Sequence, residues 1–140
     1  MQRVLVIVAA LGSAALLLGA LGFQYLGDMP PCEMCYWQRY PHAAAVVIGI
    51  LAVMMGGSLL PWLGALAALT TAGIGIYHTG VERGFWEGPT TCTSGPVTDL
   101  TPQQLMEQIM AAPMVRCDEV PWEMFTLSMA SWNAIASIGL

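Results

Sequence analysis

The chain has 140 residues, of which 56% are hydrophobic and only 9% charged, and its mean hydropathy is +0.65. Soluble globular domains carry about 25% charged residues, so a soluble protein this small would lack the polar residues to cover its surface, and the length suits one domain rather than two. Nine acids against four arginines and no lysine give a net charge of −5, which leaves no basic patch and excludes a nucleic-acid-binding surface.

Residues 4–26 form an uncharged apolar run. A helix of about 20 residues crosses a hydrocarbon core of about 30 Å, so this run is a first span. Its Gly12, Gly19 and Gly22 permit close helix packing in a membrane. A cleaved signal peptide is the alternative, with Arg3 before the apolar stretch and Ala20-Leu21-Gly22 as a cleavage site. The run is longer than a signal peptide needs, and more spans follow.

A polar connection over 27–41 carries Asp28, Pro30-Pro31, Cys32-Glu33-Met34-Cys35 and Arg39. Residues 42–60 and 61–78 read as the second and third spans. Gly56-Gly57-Ser58 lies near the end of the second, and with the third starting at Pro61 a very tight turn must join them, so the two are antiparallel neighbours. Pro61 suits the first turn of a helix, where a missing N–H costs nothing. The long polar loop 79–123 holds Cys92, Cys117 and most of the charge. Within it, Thr101-Pro102-Gln103-Gln104 spells an N-cap, a proline at N1 and a capping-box glutamine, and Leu100 with Leu105 forms a hydrophobic staple. This short amphipathic helix is expected to end near Ala112, before Pro113. It either lies on the membrane surface or packs within a folded loop. Residues 124–140 are a fourth apolar run at the lower limit of a span; either the bilayer thins there or a few native residues are missing. The five tryptophans mostly lie near span ends, as an aromatic belt would.

The predicted fold is therefore all-α, an antiparallel four-helix transmembrane bundle with one long outer loop. Four spans place the first and third loops on one side of the membrane. All four cysteines lie in those loops, so both pairs face one compartment and can meet. Arg3 places the N-terminus in the cytoplasm by the positive-inside rule. The cysteine loops then face outward, where disulfides persist.

Three chemistries compete for the cysteines. Zinc commonly takes two Cys-x-x-Cys knuckles or added histidines, whereas here one knuckle is followed by two isolated cysteines, and His42 and His78 sit at span ends. No metal is expected. Inert structural disulfides are the second reading, but a Cys-x-x-Cys bond closes a tiny loop and removes little chain entropy. The third is a dithiol relay, which needs an attacking thiolate, an accessible disulfide and a resolving thiol. If Cys35 begins the second helix, Arg39 lies one turn on, on the same face. Its guanidinium can favour a thiolate or hold an electron-accepting ring, or it is an interface anchor that snorkels to head groups. Glu33 works against a thiolate. His78 can cap the negative end of the third helix.

Cys32-Glu33-Met34-Cys35-Tyr36-Trp37-Gln38-Arg39-Tyr40-Pro41, placed between two spans, resembles the Cys-x-x-Cys-x-x-x-Arg signature of the disulfide bond formation protein B (DsbB) family. Tyr77-His78-Thr79-Gly80-Val81-Glu82, Gly88-Pro89-Thr90-Thr91-Cys92, and Cys117-Asp118 leading into Pro121-Trp122 extend the likeness across the chain in order. The resemblance implies a bacterial inner-membrane enzyme that reoxidises a DsbA-like periplasmic thiol oxidase and passes the electrons to ubiquinone or menaquinone. By that likeness the partner attacks Cys92, its mate Cys117 passes electrons to Cys32, and Cys35 faces the quinone as a thiolate adduct or charge-transfer contact. Arg39 and His78 match residues beside the quinone. The helix from Thr101 matches a membrane-associated loop helix that lets the Cys92–Cys117 segment move. Glu33 departs from the family pattern, which has apolar residues between the two cysteines. Two alternatives remain at this stage. A vitamin K epoxide reductase-like enzyme usually carries its Cys-x-x-Cys late in the chain, not after the first span. A membrane subunit with structural disulfides would exchange with no partner.

Overall fold

The computed structural model describes residues 1–93, 100–111 and 115–140. Three long helices dominate it: α1 (Gln2–Tyr25), α2 (Glu33–Met55) and α3 (Leu59–Glu82). Each is long and apolar enough to cross a membrane. α2 packs on both α1 and α3, and a later helix, α5 (Met129–Gly139), packs on α3. Small residues set these contacts: Gly49 of α2 faces Ala10 of α1, and Gly75 of α3 faces Ala134 of α5.

The distribution of polarity is the reverse of a soluble protein's. Leu5, Leu11, Leu18, Val47, Ile50 and Leu66 face outward. Gln38, His42, Thr71, His78, Ser131 and Ser137 are buried between the helices. Polar side chains turned inward, each with a partner, are what a bilayer solvent demands.

α2 begins earlier than its apolar run. Its N-cap is Cys32, whose Sγ accepts the Cys35 N–H, so the polar stretch Glu33–Arg39 is helix rather than loop. Pro41 inside α2 has no N–H to offer Trp37, a defect that neighbouring helices in a membrane bundle tolerate. The turn to α3 uses Gly56 and Gly57 at φ 72° and 86°, a backbone region closed to most side chains. Pro61 falls in the first turn of α3, where its N–H would have no partner. α3 runs one turn past the expected His78 to Glu82, so His78 lies inside the helix and not at its end.

The short helix α4 (Pro102–Ala111) forms on the expected cap. Thr101 N–H donates to Gln104 Oε1 at 2.9 Å, and Gln104 N–H returns to Thr101 Oγ1 at 3.4 Å. None of its residues is buried, so its Met106, Ile109 and Met110 have no cover among the described residues. The expected end of this helix at Ala112 and Pro113 lies outside the described residues.

The expected fourth span over 124–140 is not one continuous helix. Residues Glu123–Met124 (β1) and Leu127–Ser128 (β2) form an antiparallel hairpin. Phe125 and Thr126 occupy its turn at φ 54° and 63°, the geometry of a turn that favours Asn and Gly. The Arg83 guanidinium donates to the Thr126 carbonyl and pairs with Glu123 at 3.4 Å, holding the turn against the end of α3. Ser128 then caps α5 by accepting the Ser131 N–H. α5 has 11 residues, about 16 Å at 1.5 Å per residue, roughly half a hydrocarbon core.

Candidate functional site: two cysteine pairs over an apolar cavity

All four cysteines meet at one end of the bundle. Cys32, Cys92 and Cys117 are buried in one cluster with Met34 and Val81, and Cys35 and Val115 pack against it. Cys92 and Cys117 are joined in a disulfide, and the Cys117 N–H donates to the Cys92 carbonyl at 2.8 Å. Cys32 and Cys35 are free thiols. Their sulfurs lie 2.9 Å apart, with Cys32 donating to Cys35. That hydrogen bond, then burial, pushes the Cys32 thiol up, so Cys32 holds the proton and Cys35 receives it.

His78 is 3% exposed and places Nε2 3.6 Å from Cys32 Sγ and 3.8 Å from Glu82 Oε1. Its tautomer is fixed from the other side. The Met34 carbonyl can only accept, so Gln38 turns its amide NH₂ toward it at 3.2 Å. The same NH₂ lies 2.8 Å from His78 Nδ1. Nδ1 is therefore an acceptor, and the ring's N–H is at Nε2, facing the sulfur.

The chain of donors continues inward. Thr71 donates its hydroxyl to the Gln38 backbone carbonyl at 3.0 Å, so its oxygen is left to accept from Asn133 Nδ2 at 3.1 Å. Asn133 Nδ2 also donates to Gln38 Oε1 at 2.8 Å. Asn133 Oδ1 then accepts from His42 Nε2 at 2.8 Å. From His42 through Asn133, Gln38 and His78 to Cys32, every donor points the same way. Two backbone carbonyls, of Met34 and Gln38, anchor that polarity.

A cavity of about 580 Å³ opens beside this chain. Its walls are mostly apolar, including Leu16, Phe23, Val120 and Trp122, and its polar lining includes Cys35, Gln38, Arg39, His42, His78 and Asn133. Arg39 ties α2 to α1 by donating to Gln24 Oε1 at 2.6 Å and to the Ala20 carbonyl at 3.3 Å, and its guanidinium lies 5.2 Å from the Tyr36 ring centre. A smaller cavity of about 160 Å³ lies at the opposite end, around Arg3, Gly56 and Pro61, far from the sulfurs.

Arg116 and Asp118 flank Cys117 and form a two-bond ion pair at 2.9 and 2.5 Å. The hydrogen bonds from Arg116 hold the Asp118 carboxyl below the usual carboxylate range.

The structure thus brings together all the cysteines with Arg39 and His78. It adds Gln38, His42, Thr71, Glu82 and Asn133, none of which was singled out from sequence for this site. Asn133 carried a signal, as a lone amide in the last apolar run. Cys32, Cys35 and His78 also place their ligand atoms within 4.8 Å of one another. A cation there would need the Nε2 lone pair, which reverses Gln38 and sets its carbonyl against that of Met34.

The profile of the family described as disulfide bond formation protein DsbB matches residues 2–140. The chain belongs to the DsbB family. A disulfide bond formation protein B from Shewanella sp. strain MR-4 is 33% identical over 139 residues, covering 91% of this chain and 77% of the relative. One from Polaromonas sp. strain JS666 is 31% identical over 152 residues, covering 99% and 88%. One from Shewanella loihica is 30% identical over 122 residues, covering 84% and 71%. No solved structure matches the chain. DsbB family membership fits a mostly helical protein with three helices able to cross a membrane.

Proposed function

We propose that this DsbB family member is a protein-dithiol:quinone oxidoreductase of the bacterial inner membrane. In this reading it reoxidises a DsbA-like periplasmic oxidase through Cys92–Cys117 and delivers the electrons through Cys32–Cys35. The observation that carries the reading is one buried cluster that holds both pairs and borders an apolar cavity reached by Cys35 and Arg39. Such cavities, with a few placed polar groups, are the ordinary form of small-molecule sites.

Exchange proceeds by thiolate attack on a disulfide sulfur. A partner thiolate attacks Cys92 and releases Cys117, and the partner's second thiol then resolves the mixed disulfide. The partner leaves as a disulfide, and Cys92 and Cys117 are left as thiols. Cys117 next attacks Cys32 of an oxidised Cys32–Cys35 pair and releases Cys35. Cys92 then attacks Cys117, re-forming the loop disulfide and leaving Cys32 and Cys35 reduced. His78 Nε2–H steadies Cys32 Sγ as the leaving sulfur. Arg39 and Cys35 would hold a quinone, with His78 and Gln38 on the same wall. When bound, the quinone supplies a two-electron, two-proton acceptor. The cavity fits such a ring: its walls are apolar, and His42 leaves a buried nitrogen, Nδ1, without a partner.

Anaerobic quinone reduction by the purified protein, with a reduced DsbA-like donor, tests the reading. Reduction is expected with the native chain and should be abolished in Cys35→Ser. Failure with several quinones and a competent donor would overturn it. A subunit with structural disulfides would also give no mixed disulfide with a reduced donor whose second, resolving cysteine is replaced, whereas the relay predicts that one accumulates on Cys92 as Cys117 is released.

A further inference from the structure

His42 stands apart from the residues that the cysteine chemistry uses. It is 3% exposed, two helical turns below Cys35 on α2, and it lines the same cavity. Its Nε2 is committed to Asn133 Oδ1, with Ser137 Oγ 3.4 Å away. Its Nδ1 is buried without a hydrogen-bond partner. Buried polar atoms are nearly always paired, so each exception calls for an explanation.

The direction of the donor chain settles what Nδ1 offers. Thr71 fixes Asn133, and Asn133 Oδ1 can only accept, so His42 carries its proton on Nε2. The neutral ring therefore presents a lone pair at Nδ1. A lone pair accepts from a hydroxyl and repels a carbonyl. The two oxidation states of a quinone differ in this respect: the oxidised ring has carbonyl oxygens, and the reduced ring has hydroxyls.

We propose that His42 is the inner polar contact of the cavity and reads the redox state of the ring, accepting a hydrogen bond from the hydroxyl of the reduced form. The proposal rests on the quinone reading above. His42 lies seven positions on from Cys35, a rise of about 10 Å, which suits a ring held between the sulfur at one edge and the imidazole at the other. Nδ1 is closed to water in this structure, so the contact forms when the inner edge of the ring presses the wall apart. Asn133 is a positioning residue here, because it keeps the lone pair on Nδ1.

The physical consequence is preferential binding of the product. One hydrogen bond to an otherwise unsatisfied buried acceptor is worth on the order of tenfold in affinity. Tenfold tighter binding of the reduced form raises the potential of the bound two-electron couple by about 30 mV, which draws electrons out of the Cys32–Cys35 pair.

The test measures binding and not turnover. A short-chain benzoquinone and its hydroquinone are titrated under argon into the full chain in nanodiscs. A Cys32→Ser/Cys35→Ser background prevents electron exchange, and Trp122 and Trp132 in the cavity wall report binding by fluorescence quenching. The background chain is expected to bind the hydroquinone about tenfold more tightly than the quinone, and His42→Phe should bring the ratio near one. A ratio unchanged by His42→Phe overturns the proposal while leaving the quinone site intact. If the background chain binds neither form, the titrations are repeated with native cysteines, hydroquinone into the reduced chain and quinone into the oxidised one, and binding of neither form there overturns the quinone reading and the proposal with it. If His42→Phe fails to fold, ¹⁵N spectra of the unsubstituted His42 decide: the hydroquinone must move the Nδ1 resonance more than the quinone does, and equal shifts overturn the proposal.

Discussion

Gln38 does more to define the site than its position next to Arg39 suggests. It contacts Met34, His78 and Asn133 at once, and so connects α2 to α3 and α5. Gln38→Leu would leave His78 Nδ1 and one N–H of the Asn133 amide unpaired in the interior. It should cost about 2 kcal/mol of stability, read as a lowered midpoint of unfolding in detergent. A variant as stable as the native chain would show that the amide network is incidental. The sulfurs, Arg39 and His78 could be read from the sequence because their spacing is local and their chemistry distinctive. Gln38, Asn133 and His42 could not, because an amide acquires meaning only from partners that folding brings together. Gln38 and Asn133 lie 95 positions apart.

Helix ends rather than helix cores are where sequence and structure part. Apolar runs locate α1, α2 and α3, but a run marks what lies in lipid and not where a helix is capped. α2 starts on a cysteine cap in a polar stretch, and α5 starts late because Ser128 offers a cap that hydropathy does not register. α4, by contrast, formed on its cap signal, since Thr101 and Gln104 need only each other. At the C-terminal end of α3, Gly80 is packed beneath the Trp86 indole, which donates to the Tyr77 carbonyl at 2.8 Å and stacks on the Tyr77 ring. A methyl group at Gly80 would overlap the indole. Gly80→Ala should lose about 1–3 kcal/mol through overpacking and displace Trp86, seen as a lower melting temperature with altered near-UV circular dichroism. An unchanged spectrum would mean that the loop shifts without cost.

Across the whole molecule, the cysteines gather where α1 ends, α2 begins and α3 ends, so a chain with these three helices across a bilayer presents both pairs on one side. In sealed, oriented vesicles a membrane-impermeant maleimide added after reduction should therefore label Cys35 and the Cys92–Cys117 pair from the same face, and not from the other. Labelling from opposite faces would refute the arrangement. This part of the architecture was legible from the order of loops and spans alone, because it depends on parity and not on where each helix ends. The loop itself was not, since it packs by tertiary contacts. Its Val115, Arg116, Glu119, Val120, Pro121 and Trp122 line the cavity, and Cys117 lies among them. On the proposed function the loop would be both courier and doorway. In that reading a thiol from outside would reach Cys92, only 1% exposed here, once this segment had swung away, and that swing would take one side of the cavity with it. Delivery of electrons and admission of the molecule that receives them would then be a single movement, with neither side of the exchange open while the other is shut.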